Sequence, residues 1–177
     1  MRYQLRRQAA VVVAIFRTAP YGVVFVERAA HLRDHPGQIG LPGGGVHPGD
    51  TGLAETALRE LREEVGLEAG ISSIVGQLPT LRQRVVNNFD VTPFVAVVEP
   101  AELRIDPSEC AGAFLVPLFT IVEAGLPDLV LEYEGRRIWG LTARILHEFV
   151  TAWKDGGLRE AVLPHLRDDG VTGTGNL

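Results

Sequence analysis

Two apolar runs open the chain, Ala9–Phe16 (AAVVVAIF) and Gly22–Arg28 (GVVFVER). Their length and valine content predict buried strands rather than helices, with a turn around Pro20-Tyr21 between them. Arg33–Gly40 is polar and reads as a loop. The period then changes. Leu53, Ala57, Leu58, Leu61 and Val65 recur at three- and four-residue intervals, which predicts a helix over Gly52–Val65. Asp50 or Thr51 can cap its start and Gly66 suits its end.

Farther on, Ile71–Leu78 reads as a strand closed by Pro79, and Arg82–Val98 as a long hairpin. The second arm of that hairpin, Asp90–Val98, is apolar enough for a central strand, although Pro93 points to an edge or a bulge. Pro107–Ala111 reads as a loop, Ala113–Val116 as a short strand and Leu118–Ala124 as a short helix. Leu129–Tyr133 and Arg136–Trp139 form a hairpin around Glu134-Gly135. Leu141, Ile145, Phe149 and Trp153 place a second long helix over Gly140–Trp153. Strands alternating with helices predict an α/β fold, a mixed sheet with helices on both faces. Residues 1–169 are expected to form one domain, with a flexible tail at 170–177.

The helix over Gly52–Val65 carries the chemistry. At about 100° per residue, Glu60, Glu63 and Glu64 fall within an arc of roughly 100°. Like charges at these spacings destabilise a helix, so a cation should compensate them. An acidic helix face is often simply solvated. Here, however, Leu41-Pro42-Gly43-Gly44-Gly45 precedes it, and glycines let backbone carbonyls approach a site closely. Carboxylate and carbonyl oxygens together suit a hard divalent cation such as Mg²⁺.

This segment, GGGVHPGDTGLAETALRELREEVGL (residues 43–67), resembles the Nudix box, G-x5-E-x7-R-E-U-x-E-E-x-G-U with U aliphatic. Arg59, Glu60, Leu61, Glu63, Glu64, Gly66 and Leu67 complete its second half. In the first half Asp50 takes the acidic position if Gly44 opens the box, and the gap to Arg59 is one residue longer. Upstream, VVFVERAAHLRDHPGQIGLPGG resembles a motif of coenzyme A pyrophosphatases, LLTxxSxx(R/K)xxxGxxxFPGG. Arg33, Gly37 and Pro42-Gly43-Gly44 fit it, whereas Glu27, Ala30 and Leu41 replace its Thr, Ser and Phe. Residues 138–149, IWGLTARILHEF, resemble the same branch.

The resemblance implies a Nudix-type α/β/α sandwich and a metal-dependent pyrophosphohydrolase using Mg²⁺ or Mn²⁺. Its substrate would be a nucleoside diphosphate linked to another group, first of all coenzyme A or an acyl derivative, cleaved to 3′,5′-ADP and phosphopantetheine. ADP-ribose, NADH or a nucleoside triphosphate are alternatives within the family. A nucleotide-binding regulatory domain is an alternative of another class, and the complete R-E-L-R-E-E argues against it. Glu60 and Glu64 would be the principal metal ligands, Glu63 a direct or water-mediated one, and the Gly44 carbonyl a further one. Arg59 would orient a glutamate. Glu109 stands where many relatives carry a general base, though a loop carboxylate is more often merely solvated and one of the box glutamates could serve instead. Arg33 and Gln38 would border the diphosphate. The family also allows a homodimer.

Composition narrows the rest. A net charge of −5 argues against a nucleic-acid surface, so a small-molecule nucleotide is the expected partner. The arginines before Ala9–Phe16 invite a signal-peptide reading, but there is no convincing cleavage site and valine favours a strand. No stretch is long enough to cross a bilayer as a helix. A single cysteine, Cys110, cannot form an internal disulfide and is expected to be a small packed residue, so a cytoplasmic location is expected. The five histidines form no metal motif. His31, His35 and His47 fall near the site in sequence, and His147 and His165 read as structural. Tyr133 and Trp139 could stack on an adenine, although hairpin aromatics usually pack on the core.

Overall fold

A computed structural model of the protein describes residues 6–32, 36–83 and 88–168. The elements run β1 (Arg7–Phe16), β2 (Gly22–Arg28), β3 (Ile39–Gly40), β4 (Gly43–Gly45), α1 (Leu53–Val65), a 3₁₀ turn at Ile71–Ser73, β5 (Ile74–Gln77) and β6 (Leu81–Gln83). They continue with β7 (Phe89–Val98), β8 (Cys110–Pro117), α2 (Leu118–Ala124), β9 (Leu131–Tyr133), β10 (Arg136–Ile138), α3 (Gly140–Lys154) and α4 (Gly157–Val162). Arg33, His35 and the segment from Gly170 lie outside the described residues.

The sheet is mixed. β1 runs parallel to β7 over its whole length, from Arg7↔Phe89 to Phe16↔Val98. β2 is antiparallel to β1 and to β8, and β5 and β6 are antiparallel to β7. Alternation along β1 sends Ala10, Val12, Ala14 and Phe16 toward Ala57, Leu58, Leu61 and Val65 of α1. Val13 and Ile15 face the other way, into a cluster with Leu118 and Ile121 of α2 and with Ile145, Leu146 and Phe149 of α3. Both faces of the strand are therefore covered, which explains why its sequence is an unbroken apolar run rather than an alternating one. The result is a mixed sheet between helices, an α/β/α sandwich.

One feature of the sheet positions the site. β1 and β2 pair at Ile15↔Val23, and residues 39–45 lie between them farther along. On one side Ile39 and Gly40 pair with Glu27 and Val26. On the other, Gly43, Gly44 and Gly45 pair with Val11, Ala10 and Ala9, and Val12 N–H donates to Pro42 O at 2.9 Å. A Cβ on Gly43 would stand 2.5 Å from Ala10 O, so close approach demands glycine there.

Several boundaries depart from the sequence reading for local reasons. β7 is central despite Pro93. The Pro93 carbonyl accepts from Leu78 N–H at 2.9 Å, between the stretch paired with β5 and the stretch paired with β6. Since N–H and C=O of one strand residue point the same way, the missing donor faces this change of partner. β9 starts at Leu131 rather than Leu129 because Leu129 has φ +53, outside the strand region. Glu134 and Gly135, at φ +49 and +75, give the hairpin both positive values of a type I′ turn. β8 begins at Cys110, three residues early, because Arg28 pairs with Cys110 after a bulge. Ile71, 60 % exposed, sits in the 3₁₀ turn rather than in β5.

Candidate active site

α1 is closed at both ends by backbone chemistry. Gly66, at φ +72, takes the left-handed C-terminal position and returns its N–H to Arg62 O at 2.9 Å. At the start neither Asp50 nor Thr51 is the N-cap. That position is Gly52, with no side-chain cap. Glu55 instead reaches back to accept from Thr51 N–H at 2.6 Å and from the Thr51 hydroxyl. Asp50 is engaged elsewhere.

Its partner is Arg59. The guanidinium donates from Nε to Asp50 Oδ1 at 2.9 Å and from Nη2 to Asp50 Oδ2 at 3.0 Å, a bidentate pair. His47 N–H and the Thr56 hydroxyl also donate to Asp50 Oδ2, each at 2.8 Å. These donors, Arg59 foremost, hold the Asp50 carboxyl well below the usual carboxylate range. Arg59 also spans Glu60 Oε1 at 2.9 Å, Glu63 Oε2 at 2.8 Å and Gly45 O at 3.0 Å. Asp50 is the residue the sequence reading undervalued. Its signal was its place in the box, nine residues before Arg59, but spacing does not show a bidentate contact.

Glu60, which touches that hub through Arg59, and Glu64, which does not, are both buried, 8 % and 4 % exposed. Burial raises the Glu60 pKa, opposed by Arg59. Burial also pushes Glu64 up to about 8, opposed by the Gly43 N–H that donates to Glu64 Oε2 at 3.0 Å. The charge of Arg28, at the end of β2, favours the ionised form of Glu64 as well; the sequence reading gave Arg28 no role. Glu109 completes the group. Glu60, Glu64 and Glu109 each offer a carboxylate oxygen, and the three atoms lie within 4.8 Å of one another. Ligands around one octahedral Mg²⁺ stand roughly 3–4 Å apart, so a small side-chain shift closes the set. The donors are all oxygen, as a hard cation requires. The residues present therefore fit a divalent metal.

The glycine loop leaves room for this arrangement. A Cβ on Gly44 would lie 2.4 Å from Glu60 Oε1. Glu63 is not drawn into the cluster: its side chain is 44 % exposed and pairs with Arg59. The Glu109 loop meets the upstream segment, since Ala29 N–H donates to Glu109 O at 2.9 Å and His31 Nε2 lies 3.1 Å from Ser108 O. Gln38 accepts Arg28 N–H through its backbone carbonyl at 2.9 Å, which sets it beside the same strand end. Cys110 is buried against the α1 face, and burial pushes its thiol up to about 12. His47 is exposed and meets Asp50 through its backbone, its N–H donating to Oδ2 and its carbonyl accepting Asp50 N–H at 3.0 Å. Tyr133 packs partly against the core, whereas Trp139 is 52 % exposed.

Comparison with known proteins bears on family and fold. The NUDIX domain family model matches residues 5–134. The "uncharacterized Nudix hydrolase NudL" of Enterobacter sp. (strain 638) is 35 % identical over 157 residues, 81 % of each chain. The protein of the same description from Salmonella newport (strain SL254) is equally similar. Among solved structures, the MutT/nudix family protein of Enterococcus faecalis superposes with TM-score 0.66 at 14 % identity, over 87 % of this chain and 64 % of that one. The NUDIX domain of Shewanella oneidensis NrtR complexed with ADP ribose gives 0.64 at 17 %, over 85 % and 90 %. These structures share the fold, and the family match with the NudL likeness shows that the chain belongs to the Nudix hydrolases.

Proposed function

We propose that the protein is a divalent-metal-dependent pyrophosphohydrolase that cleaves coenzyme A or an acyl-coenzyme A to 3′,5′-ADP and the phosphopantetheine part. The observation that carries the chemistry is the cluster of Glu60, Glu64 and Glu109 oxygens within 4.8 Å of one another, two of them on buried carboxylates. Mg²⁺ or Mn²⁺ bound there would neutralise phosphoryl oxygens and acidify a bound water. Glu60 and Glu64 would hold the metal, with the Gly44 carbonyl as a further ligand and Glu63 acting directly or through water. Gly43 N–H fixes the orientation of Glu64, and Arg59 fixes Glu60. Glu109, exposed, on a loop and close to both, would take a proton from the attacking water.

The substrate assignment rests on the upstream motif. The strand carrying that motif's start ends against the Glu109 loop, and the motif's end, Pro42-Gly43-Gly44, runs directly beneath Glu60 and Glu64. Arg33, between those two anchor points in sequence, is proposed to pair with a phosphate, and Gln38 to border the diphosphate. The NrtR domain holds ADP ribose, so ADP-ribose belongs in any test.

The test is a substrate panel of coenzyme A, dephospho-coenzyme A, ADP-ribose, NADH and a nucleoside triphosphate, each with Mg²⁺ and Mn²⁺, with products identified by mass. Arg33→Ala is expected to lower kcat/KM for coenzyme A by about 1.5–3 kcal/mol and to spare dephospho-coenzyme A if Arg33 reads the 3′-phosphate. Absence of coenzyme A hydrolysis by the unmodified protein would overturn the assignment.

A further inference from the structure

The loop that presents Glu109 is stiff within itself. Asp106 O accepts from Glu109 N–H at 3.0 Å and from Cys110 N–H at 2.8 Å, while Asp106 Oδ1 accepts from Ser108 N–H at 2.8 Å and from the Ser108 hydroxyl at 2.7 Å. One end is tied to α1, because Asp106 N–H donates to Glu64 O at 3.2 Å. The register of β2 and β8 ends at Arg28↔Cys110. Beyond it, among the described residues, the loop is held to the upstream segment by Ala29 N–H to Glu109 O and by the His31 imidazole to Ser108 O at 3.1 Å. A carbonyl oxygen only accepts, so Nε2 of His31 carries the hydrogen. Leu32 N–H closes on Ala29 O at 3.2 Å, a turn that delivers His31 to this contact.

Glu109 is exposed and gains little positioning from packing. Its carboxylate nevertheless lies with those of Glu60 and Glu64. We infer that His31 is a positioning residue for Glu109, clasping the carbonyl of the preceding residue and so setting where the Glu109 carboxylate stands. The inference rests on the catalytic role of Glu109 given above. It also joins the substrate-side segment to the carboxylate loop. Movement of residues 29–32 reaches Glu109 through a backbone bond and a side-chain bond, without passing through the core.

The experiment is a double-mutant cycle of His31→Ala and Glu109→Gln on the panel substrate turned over fastest, with saturating Mg²⁺. Alone, His31→Ala is expected to lower kcat about 3- to 10-fold, since small misplacements of a reacting group are costly, with KM within about twofold. His31→Gln, which keeps an N–H donor at similar reach, is expected to recover most of that loss. In the Glu109→Gln background, His31→Ala is expected to have no further effect. Mn²⁺ affinity of His31→Ala, measured by titration calorimetry, is expected to fall by less than that of Glu64→Gln. An equal loss in both backgrounds, a rise in KM alone, or failure of His31→Gln to recover would overturn the clasp. Wild-type turnover in Glu109→Gln alone would overturn the role of Glu109 and the clasp together, whereas a loss there with an additive cycle removes only the clasp.

Discussion

Asp50 and Glu64 are both carboxylates serving one helix, each with a side chain hidden from water, and their proton affinities are driven in opposite directions. Asp50 meets a guanidinium in bidentate contact, a backbone N–H and a hydroxyl. Glu64 meets one backbone N–H and two further carboxylates. The first is compensated from within the chain. The second is compensated only in part, by Arg28, and burial favours its protonated form until a further positive charge arrives. A sequence shows three glutamates and one aspartate of equal formal charge; the structure separates them into a closed ion-pair hub and an open anionic pocket.

The sharpest way to break the comparison is to neutralise each side. Glu64→Gln and Glu60→Gln are each expected to lower kcat by about 10²–10³-fold, because the transition-state charge loses its support, while leaving the metal-free fold at least as stable as the parent. Steady-state kinetics with a parallel melt checks both halves. Full turnover, or turnover in excess chelator, would remove the metal mechanism.

The second way is pH. The folded-state pKa of Glu64 is raised, from 4.5 to about 8, so its contribution to stability is full below pH 4.5 and is lost as pH rises toward 8. The folded-state pKa of Asp50 is lowered, so its contribution is present above its ordinary 3.8 and is lost on acidification. Metal-free protein is therefore expected to melt several degrees lower at pH 8 than at pH 5.5. Mn²⁺ should raise Tm more at pH 8 than at pH 5.5, because ligands bind as carboxylates. Thermal melts with and without chelator test this, and a pH-independent metal effect would contradict it.

Asp50→Asn comes next. It leaves Arg59 without its bidentate partner and is expected to cost about 2 kcal/mol by chemical denaturation, with a smaller loss of kcat than Glu64→Gln, since Arg59 keeps Glu60 and Gly45 O. Smallest is Glu63→Gln. Its pair with Arg59 is an exposed i,i+4 contact, worth about 0.3–0.5 kcal/mol, and its kinetic cost should be the least among the box glutamates. A loss matching that of Glu64→Gln would place Glu63 on the metal.

Much of this was legible along the chain because it is written in periods. The valine runs of β1 and β2, the stripes of α1 and α3, and α2 at Leu118–Ala124 follow directly from spacing. So do Gly66 as the end of α1 and the shared helix face of Glu60 and Glu64, whereas Glu63 stays outside their cluster and Glu109 joins it from a distant loop. What escaped depends on contacts distant in sequence. β3 and β4 are two and three residues long and exist only because β1 and β2 leave them a place to pair. α4 is a six-residue helix entered through Gly156 at φ +97, too short for a stripe to declare it. The engagement of Asp50 by Arg59 replaced the capping role its position suggested, because a guanidinium one helical turn or more away outcompetes a local N–H. The contact of His31 with Ser108 spans 77 residues of sequence and leaves no pattern in it.

Gly44 carries one more consequence. The space that a methyl group would need at this position is already occupied by the carboxylate of Glu60. Glycine's freedom of φ is not what counts here, since Gly44 is absent from the positive-φ glycines. Alanine at position 44 would act as a built-in inhibitor, displacing Glu60 while every acidic residue stayed in the sequence. An inactive relative could thus carry an intact set of glutamates, with its lesion written in a single carbon atom on the opposite wall.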